Sequence, residues 1–237
     1  SYDQAWEVCY QAAQKFGWYN RSCSVNPYIV EGKKPVALEA AEHLGWQRPD
    51  AVFVGVGDGE IISAAFKGCL ELDLLGVIRG LPRMFGAQAE GAAPLFAAWK
   101  AGRDSCEPWG KTTTLADSIA FGRPRNGRKA LRAVRESKGG FVAVPDEAIL
   151  DAMRLLASRA GIFAEPAGAA GFAGVLAALN AGLIDRKDRV LCLVTGNGLK
   201  DVESALKAAS RPVLKIPPDV AAVEELVSSG RLRTPSL

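Results

Sequence analysis

Two short glycine-containing segments hold the residues that, by type and spacing, could bind a ligand. The first contains Gly55, Gly57 and Gly59 and follows the apolar, β-branched run at residues 51–54. Glycine permits positive φ and lets backbone N–H groups approach a ligand closely. A strand that enters a helix through such a turn can bind an anion, because free N–H groups and the helix dipole both favour negative charge. The three glycines alone also fit a plain chain reversal, so both interpretations stay open.

The second segment begins at Thr195, continues through Gly196 and Gly198, and follows the apolar run at residues 190–194. In open α/β sheets, ligands bind beyond the carboxyl ends of the strands. Two strands that both end in glycine turns can therefore line one crevice. Thr195 is predicted as the last residue of its strand, and its hydroxyl can donate or accept a hydrogen bond. The spacing does not decide whether that hydroxyl contacts a ligand or caps its own turn.

Side chains for conventional acid–base or metal chemistry are few. His43 is the single histidine, which argues against Ser-His-Asp catalysis and against histidine-based metal sites, so no metal is predicted. Glu165 is interpreted as a carboxylate at a helix start, where the helix dipole favours it. Chemistry without a histidine points to a bound cofactor that does the hard step while the protein positions it.

Four lysines need an interpretation because they could neutralise an anion. Lys33, Lys34 and Lys67 are predicted to be solvated. Lys200 is predicted either to neutralise an anion or to pair with Asp201.

Composition excludes several classes of protein. The 237 residues are 49% hydrophobic and 23% charged, as in ordinary globular proteins of one large domain, or one domain and part of another. A net charge of +3 is too small to indicate nucleic acid, and the basic cluster at residues 123–129 is interpreted as a solvated loop and helix start. No apolar run is long enough to span a membrane. Five cysteines without a C-x-x-C pair favour reduced thiols and a cytoplasmic location, with Cys69 and Cys192 as small core residues.

The elements that must position these residues follow from apolar periodicity and capping signals. Strands are predicted at residues 51–54, 83–88, 140–144 and 188–195. Helices are predicted after Gly59 and Asp201 and at residues 3–16, 35–44, 92–101, 129–137, 146–160, 165–180 and 220–228. Strands and helices that alternate in this way predict an α/β fold with a mainly parallel sheet flanked by helices.

Five segments, taken together and in order, resemble threonine synthase. They are residues 26–34, 56–59, 88–94, 165–170 and 195–201, and they extend along nearly the whole chain. Threonine synthases are pyridoxal-phosphate enzymes of the tryptophan-synthase β-subunit fold, also called fold type II. The resemblance therefore implies the large domain of that fold. It also implies a lyase of threonine biosynthesis that converts O-phosphohomoserine and water to threonine and phosphate.

The resemblance also implies which residues bind the cofactor, pyridoxal 5'-phosphate. The turn formed by Gly57, Asp58, Gly59, Glu60 and Ile61 would hold the cofactor phosphate. The hydroxyl of Thr195 would meet the pyridine nitrogen and leave it unprotonated.

The chain departs from the family pattern in the residues that do the catalysis. It contains no segment like Ser-Phe-Lys-Asp, which holds the Schiff-base lysine of the family, and no Ser-Gly-Asn loop for the substrate carboxylate. Ser1 corresponds to a position well inside the family sequence. We therefore expect a C-terminal part of a longer enzyme, inactive alone and without a catalytic residue of its own. Residues 1–25 would be the last helix and exit loop of an incomplete small domain. Residues 26–237 would be the large cofactor-phosphate-binding domain with a C-terminal helical tail.

Two further departures concern phosphate groups. Glu60 stands where relatives carry a neutral residue, and a carboxylate that faces a phosphate dianion is unfavourable. We expect Glu60 to point away, to pair with a cation such as Lys67 or Lys200, or to weaken binding. Cys23 and Ile29 stand where the family has an asparagine and an arginine that hold the substrate phosphate.

Other functions are compatible with the same residues. A related enzyme that eliminates or replaces a group at the β-carbon, of the threonine dehydratase or cysteate synthase type, shares the same cofactor. A non-catalytic protein that binds the cofactor or another anion is an alternative of a different class. The partners expected are a small-molecule amino-acid substrate and, as a candidate assembly, a homodimer, with no nucleic acid and no membrane.

Overall fold

A parallel sheet forms the centre of the molecule. The computed structural model describes residues 1–22, 24–209 and 214–232. Within them, four strands lie in the order β3-β2-β1-β4, all parallel. The strands are β1 (Ala51–Gly55), β2 (Arg83–Ala89), β3 (Gly140–Val144) and β4 (Val190–Leu193). The predicted α/β fold with a mainly parallel sheet is confirmed.

The helices flank this sheet and match the predicted ones to within a few residues. The helix predicted from residue 92 begins at Pro94, because residues 90–92 form a 3₁₀ turn. One four-residue helix was not predicted, since it is shorter than a helical period can reveal. The helices are α1 (Tyr2–Phe16), α2 (Tyr28–Glu31), α3 (Pro35–His43), α4 (Glu60–Leu74), α5 (Pro94–Lys100), α6 (Gly127–Glu136), α7 (Asp146–Ala160), α8 (Pro166–Asn180), α9 (Val202–Ala209) and α10 (Val220–Ser228).

Helices cover both faces of the sheet. Successive side chains of a strand point to opposite faces, so the side chains of one strand enter two different cores. Val52 and Val54 of β1 pack in the core that α3, α4, α5 and α6 share. Phe53, between them, packs in the opposite core beneath α8. Helix α8 approaches the sheet closely, since a Cβ on Gly174 would lie 2.7 Å from the Cβ of Ala87. Burial on both faces explains why the strands read as continuous apolar runs.

Strand β4 is shorter than the predicted 188–195. Among the described strands it lies at the end of the order and pairs with β1 alone. The pairing runs from the Ala51–Val190 pair to the Val54–Leu193 pair. The pairing ends where β1 enters its glycine turn. Thr195 therefore lies in the turn beyond the strand, and its prediction as the last strand residue was wrong.

Helix α1 has well-defined ends and one poorly covered face. Ser1 caps its start, accepting a hydrogen bond from the Gln4 backbone N–H, and Gly17 ends it in the left-handed conformation at φ 68°. On this face Val8 is 68% and Phe16 57% exposed, and the Phe16 ring stacks on Trp18 with ring centres 5.0 Å apart. Ala13 is the buried residue of this helix.

The cysteine predictions hold for Cys69 and in part for Cys192. Cys69 is buried in the core, and burial raises the pKa of its thiol to about 11. Cys192 is half-buried because it lies on the edge strand, and burial raises its pKa to about 12. Cys23 lies outside the described residues. Among the described helices none is long and apolar enough to cross a membrane, and no described cluster of His, Cys, Asp or Glu could hold a metal ion.

Candidate cofactor site

The two glycine turns line a single cleft at the carboxyl ends of β1 and β4, as the sequence predicted. The cleft has a volume of about 240 Å³. Its walls are completed by a loop between α5 and α6 and by the start of α8. The lining residues are Lys33, Gly55, Val56, Gly57, Asp58, Gly59, Glu60, Ile61, Ile62, Ser118, Ile119, Phe121, Glu165, Ala167, Thr195 and Lys200.

The turn after β1 presents unused hydrogen-bond donors. Val56 donates its N–H to the Ala87 carbonyl oxygen at 2.8 Å, which holds the turn against β2. The N–H groups of Gly57, Asp58 and Gly59 make no backbone hydrogen bond within the described residues. Gly59 has a φ of +91° and precedes α4 without a side-chain cap. These three N–H groups therefore lie next to the positive end of the α4 helix dipole.

The glycines of this turn are required by their neighbours. A Cβ on Gly55 would lie 2.3 Å from the Ala167 carbonyl oxygen of α8. A Cβ on Gly57 would lie 2.4 Å from the Phe121 ring. Both distances are far below van der Waals contact. The turn therefore fits between α8 and the 117–121 loop only when positions 55 and 57 have no side chain.

The side chain of Asp58 fastens the turn to the loop that precedes α6. Its carboxylate accepts hydrogen bonds from the Arg125 backbone N–H at 2.6 Å, from Asn126 Nδ2 at 2.9 Å and from Ser24 Oγ at 3.4 Å. The Asn126 N–H also donates to the Asp58 carbonyl oxygen at 3.1 Å. Burial raises the pKa of Asp58 and outweighs these hydrogen bonds, which favour the ionised form. What Asp58 offers a ligand is its backbone N–H.

Glu60 forms an ion pair with Lys33, which the sequence did not predict. Glu60 is the first residue of α4 and only 3% exposed. The expected partners are engaged elsewhere, Lys67 with Glu31 and Lys200 with Glu165. The prediction that Lys33 and Lys34 are solvated was wrong. Both are ion-paired and partly buried, with side chains 36% and 17% exposed, because the unpredicted helix α2 brings residues 31–34 against α4.

The turn after β4 leaves Thr195 available. Glu165 donates its N–H to the Gly196 carbonyl oxygen at 3.0 Å, and Gly198 donates to the Phe163 carbonyl oxygen at 2.9 Å. The capping side chain is Asn197, which accepts from the Leu199 N–H at 2.9 Å. Thr195 is exposed and lines the cleft. Of the two interpretations left open by spacing, the structure therefore disfavours the cap.

Glu165 and Lys200 form a second ion pair at the cleft. Glu165 is buried at the N-cap of α8, the helix-start position predicted for it, and its carboxylate lies 2.9 Å from Lys200 Nζ. The alternative prediction, that Lys200 pairs with Asp201, was wrong. The Asp201 side chain instead accepts a hydrogen bond from the Ser204 N–H at 2.9 Å. His43 is exposed at the end of α3 and does not line the cleft.

The loop at residues 121–126 joins the cleft to α1. The Arg125 guanidinium lies 2.9 Å from the Asp3 carboxylate and 3.9 Å from the centre of the Trp6 ring. The rings of Tyr2 and Phe121 have their centres 4.1 Å apart. Arg125 is therefore not part of a solvated loop, as its basic sequence neighbourhood had suggested.

The chain belongs to a family of enzymes that depend on pyridoxal phosphate. The model of the family described as "Pyridoxal-phosphate dependent enzyme" matches residues 1–196. The chain is 41% identical over 213 residues to the threonine synthase of Methanocaldococcus jannaschii, covering 90% of this chain and 52% of the relative. It is also 41% identical over 227 residues to the threonine synthase of Mycobacterium bovis, covering 95% and 60%. The resemblance to threonine synthase is confirmed, and the chain spans between half and three fifths of the length of these relatives.

Solved structures confirm the fold. The diaminopropionate ammonia lyase of Escherichia coli superposes with a TM-score of 0.69 at 19% identity, covering 89% of this chain and 57% of that one. The processed threonine deaminase isoform 2 of Solanum lycopersicum gives a TM-score of 0.68 at 19% identity, covering 84% and 54%. These likenesses show that the chain shares the fold of both enzymes.

Proposed function

We propose that this chain is the cofactor-phosphate-binding part of a threonine synthase-type lyase that uses pyridoxal 5'-phosphate. The observation that carries the proposal is the glycine turn at the start of α4, with its unused N–H groups in the same cleft as Thr195. The likeness to threonine synthases along at least 90% of the chain supports the reaction class.

The residues present fit this cofactor. The N–H groups of Gly57, Asp58 and Gly59, followed by the start of α4, would bind its phosphate. The Thr195 hydroxyl would hydrogen-bond its pyridine nitrogen, and the buried side chain of Phe121 would shield one wall from water. Pyridoxal phosphate supplies an electron sink for carbanions. The work of this chain is to bind and orient that group.

The reaction we propose for the whole enzyme is the conversion of O-phosphohomoserine and water to threonine and phosphate. The likeness to threonine synthases, at 41% identity, supports it over a deaminase or dehydratase activity, because two threonine deaminases of known structure are 19% and 25% identical. A β-replacing relative and a non-catalytic cofactor-binding protein are the remaining alternatives. Ile29 of α2 cannot donate to the substrate phosphate as the arginine of the family does.

Binding of the phosphate ester is the first test. Isothermal titration of the 237-residue chain with pyridoxine 5'-phosphate, which has no aldehyde to react with surface lysines, is expected to show one saturable site. Pyridoxine, which lacks the phosphate, is expected not to bind, and inorganic phosphate is expected to compete. Equal heats for the two compounds, or no binding of the ester, would contradict the proposal.

We further propose that none of the lysines in this chain is the imine-forming lysine. Both lysines that line the described cleft, Lys33 and Lys200, are held by buried carboxylates. After treatment with pyridoxal phosphate and borohydride, peptide mapping is expected to show partial labelling spread over exposed lysines. One lysine labelled to completion, and protected by pyridoxine 5'-phosphate, would overturn this view.

The domain division stays a proposal that the packing of α1 supports. The exposed side chains of Val8 and Phe16 leave an apolar edge that a second domain could cover. We therefore assign residues 1–25 to the small domain and residues 26–237 to the large one.

A further inference from the structure

The first residue of α4 puts a negative charge where the proposed ligand brings another. Glu60 lines the cleft beside Gly59, and its side chain is almost fully buried. A carboxylate and a phosphate dianion in one partly desolvated turn repel each other strongly. The site therefore needs a cation that compensates Glu60 at this position.

Lys33 is placed to be that cation. It lies in the link between α2 and α3, and its Nζ is ion-paired with Glu60 Oε2. Its side chain is 36% exposed and lines the cleft. An ammonium group has three N–H donors. A single bond to Glu60 leaves donors for an oxygen of a ligand in the same cleft.

The segment that carries Lys33 is fixed by charges outside the cleft. Lys34 Nζ lies 2.6 Å from Glu31 Oε2 and 2.7 Å from Glu71 Oε2. Lys67 of α4 also pairs with Glu31. These pairs tie residues 31–34 to the outer face of α4, so Lys33 does not have to be ordered by the ligand.

We propose that Lys33 is a charge-compensating and positioning residue of the phosphate site. Its ammonium neutralises Glu60 and donates a hydrogen bond to the phosphate ester of the ligand. This inference rests on the proposed function, because it assumes that the turn binds the phosphate of a pyridoxal-type compound.

The test is the affinity for pyridoxine 5'-phosphate of four variants measured by isothermal titration. Lys33→Met is expected to weaken binding by roughly tenfold or more, through loss of a charge-assisted hydrogen bond and exposure of the phosphate to Glu60. Lys33→Arg is expected to keep most of the affinity. Glu60→Gln is expected to bind at least as well as the unaltered chain. Lys33→Met with Glu60→Gln is expected to recover most of what Lys33→Met loses.

A matched control separates this role from a structural one. Lys207 pairs with Glu203 at 2.9 Å on the surface of α9, and Lys207→Met is expected to leave the affinity unchanged. If Lys33→Met lowers the melting temperature but binds as the unaltered chain does, Lys33 is structural and the inference is wrong. Absence of binding by the unaltered chain would instead overturn the proposed function, and this inference with it.

Discussion

Replacement of Gly57 by alanine is expected to weaken binding of pyridoxine 5'-phosphate by roughly tenfold or more and to lower the free energy of unfolding by about 1–3 kcal/mol. The new Cβ would lie 2.4 Å from Phe121 Cδ2 and 2.9 Å from the Cα of Ile119. One neighbour is a ring and the other is backbone, so the turn itself must move. Titration calorimetry and urea unfolding measure the two effects.

The control for Gly57→Ala is a glycine whose substitution disturbs only the backbone. Gly161 ends α7 with a φ of +67°, and a Cβ there would meet nothing within 4 Å. Gly161→Ala is expected to cost about 1–2 kcal/mol of stability without changing the affinity. Adding Phe121→Ala to Gly57→Ala should give less destabilisation than the sum of the two, because the clash with the Phe121 ring is then removed and only the contact with the Ile119 backbone remains. An unchanged affinity in Gly57→Ala would contradict a role for this turn in binding.

Replacement of Asp58 by alanine is expected to lower the free energy of unfolding by about 2–4 kcal/mol, since each buried donor left without an acceptor costs about 1–3 kcal/mol. The donors are the Arg125 N–H and Asn126 Nδ2. The same change releases the turn from the loop before α6, so the phosphate site should lose affinity as well. Urea unfolding and titration calorimetry on one preparation measure both.

The pH dependence of Asp58 has a definite sign. Burial raises the pKa of this carboxyl in the folded chain, so the folded state binds the proton more tightly than the unfolded state. Relative to Asp58→Asn, the stability of the unaltered chain should therefore fall as pH rises through the range above the ordinary carboxyl pKa. Unfolding free energies at about pH 4, near the ordinary pKa of an aspartate, and at about pH 7 give the comparison. A difference that grows in the opposite direction would mean that the hydrogen bonds outweigh burial.

The local patterns of the sequence were enough to predict the sheet and the cleft that the two glycine turns line. Strand β1, the glycine turn and the start of α4 have apolar runs, turn residues and a helical stripe next to one another, so each is readable without tertiary information. The convergence of the Thr195 turn on the same cleft followed from the rule for parallel sheets. The length of β4 could not be predicted in this way, because it is set by pairing with β1.

The charged partners around the site could not be predicted from the sequence. Lys33 and Glu60 are separated by 27 positions, and Arg125 and Asp3 by 122. Such pairs depend on how elements pack, and several lysines and carboxylates offered equivalent choices. The short helix α2, which brings Lys33 to Glu60, has no periodicity to reveal it. The residue types were visible and their pairing was not.

The most direct test of the central claim is a crystal structure of the chain with pyridoxine 5'-phosphate. We expect the phosphate at the start of α4, within hydrogen-bond distance of the N–H groups of Gly57, Asp58 and Gly59. We also expect the pyridine nitrogen beside the Thr195 hydroxyl. A phosphate bound elsewhere on the chain, or a ring nitrogen directed away from Thr195, would contradict it.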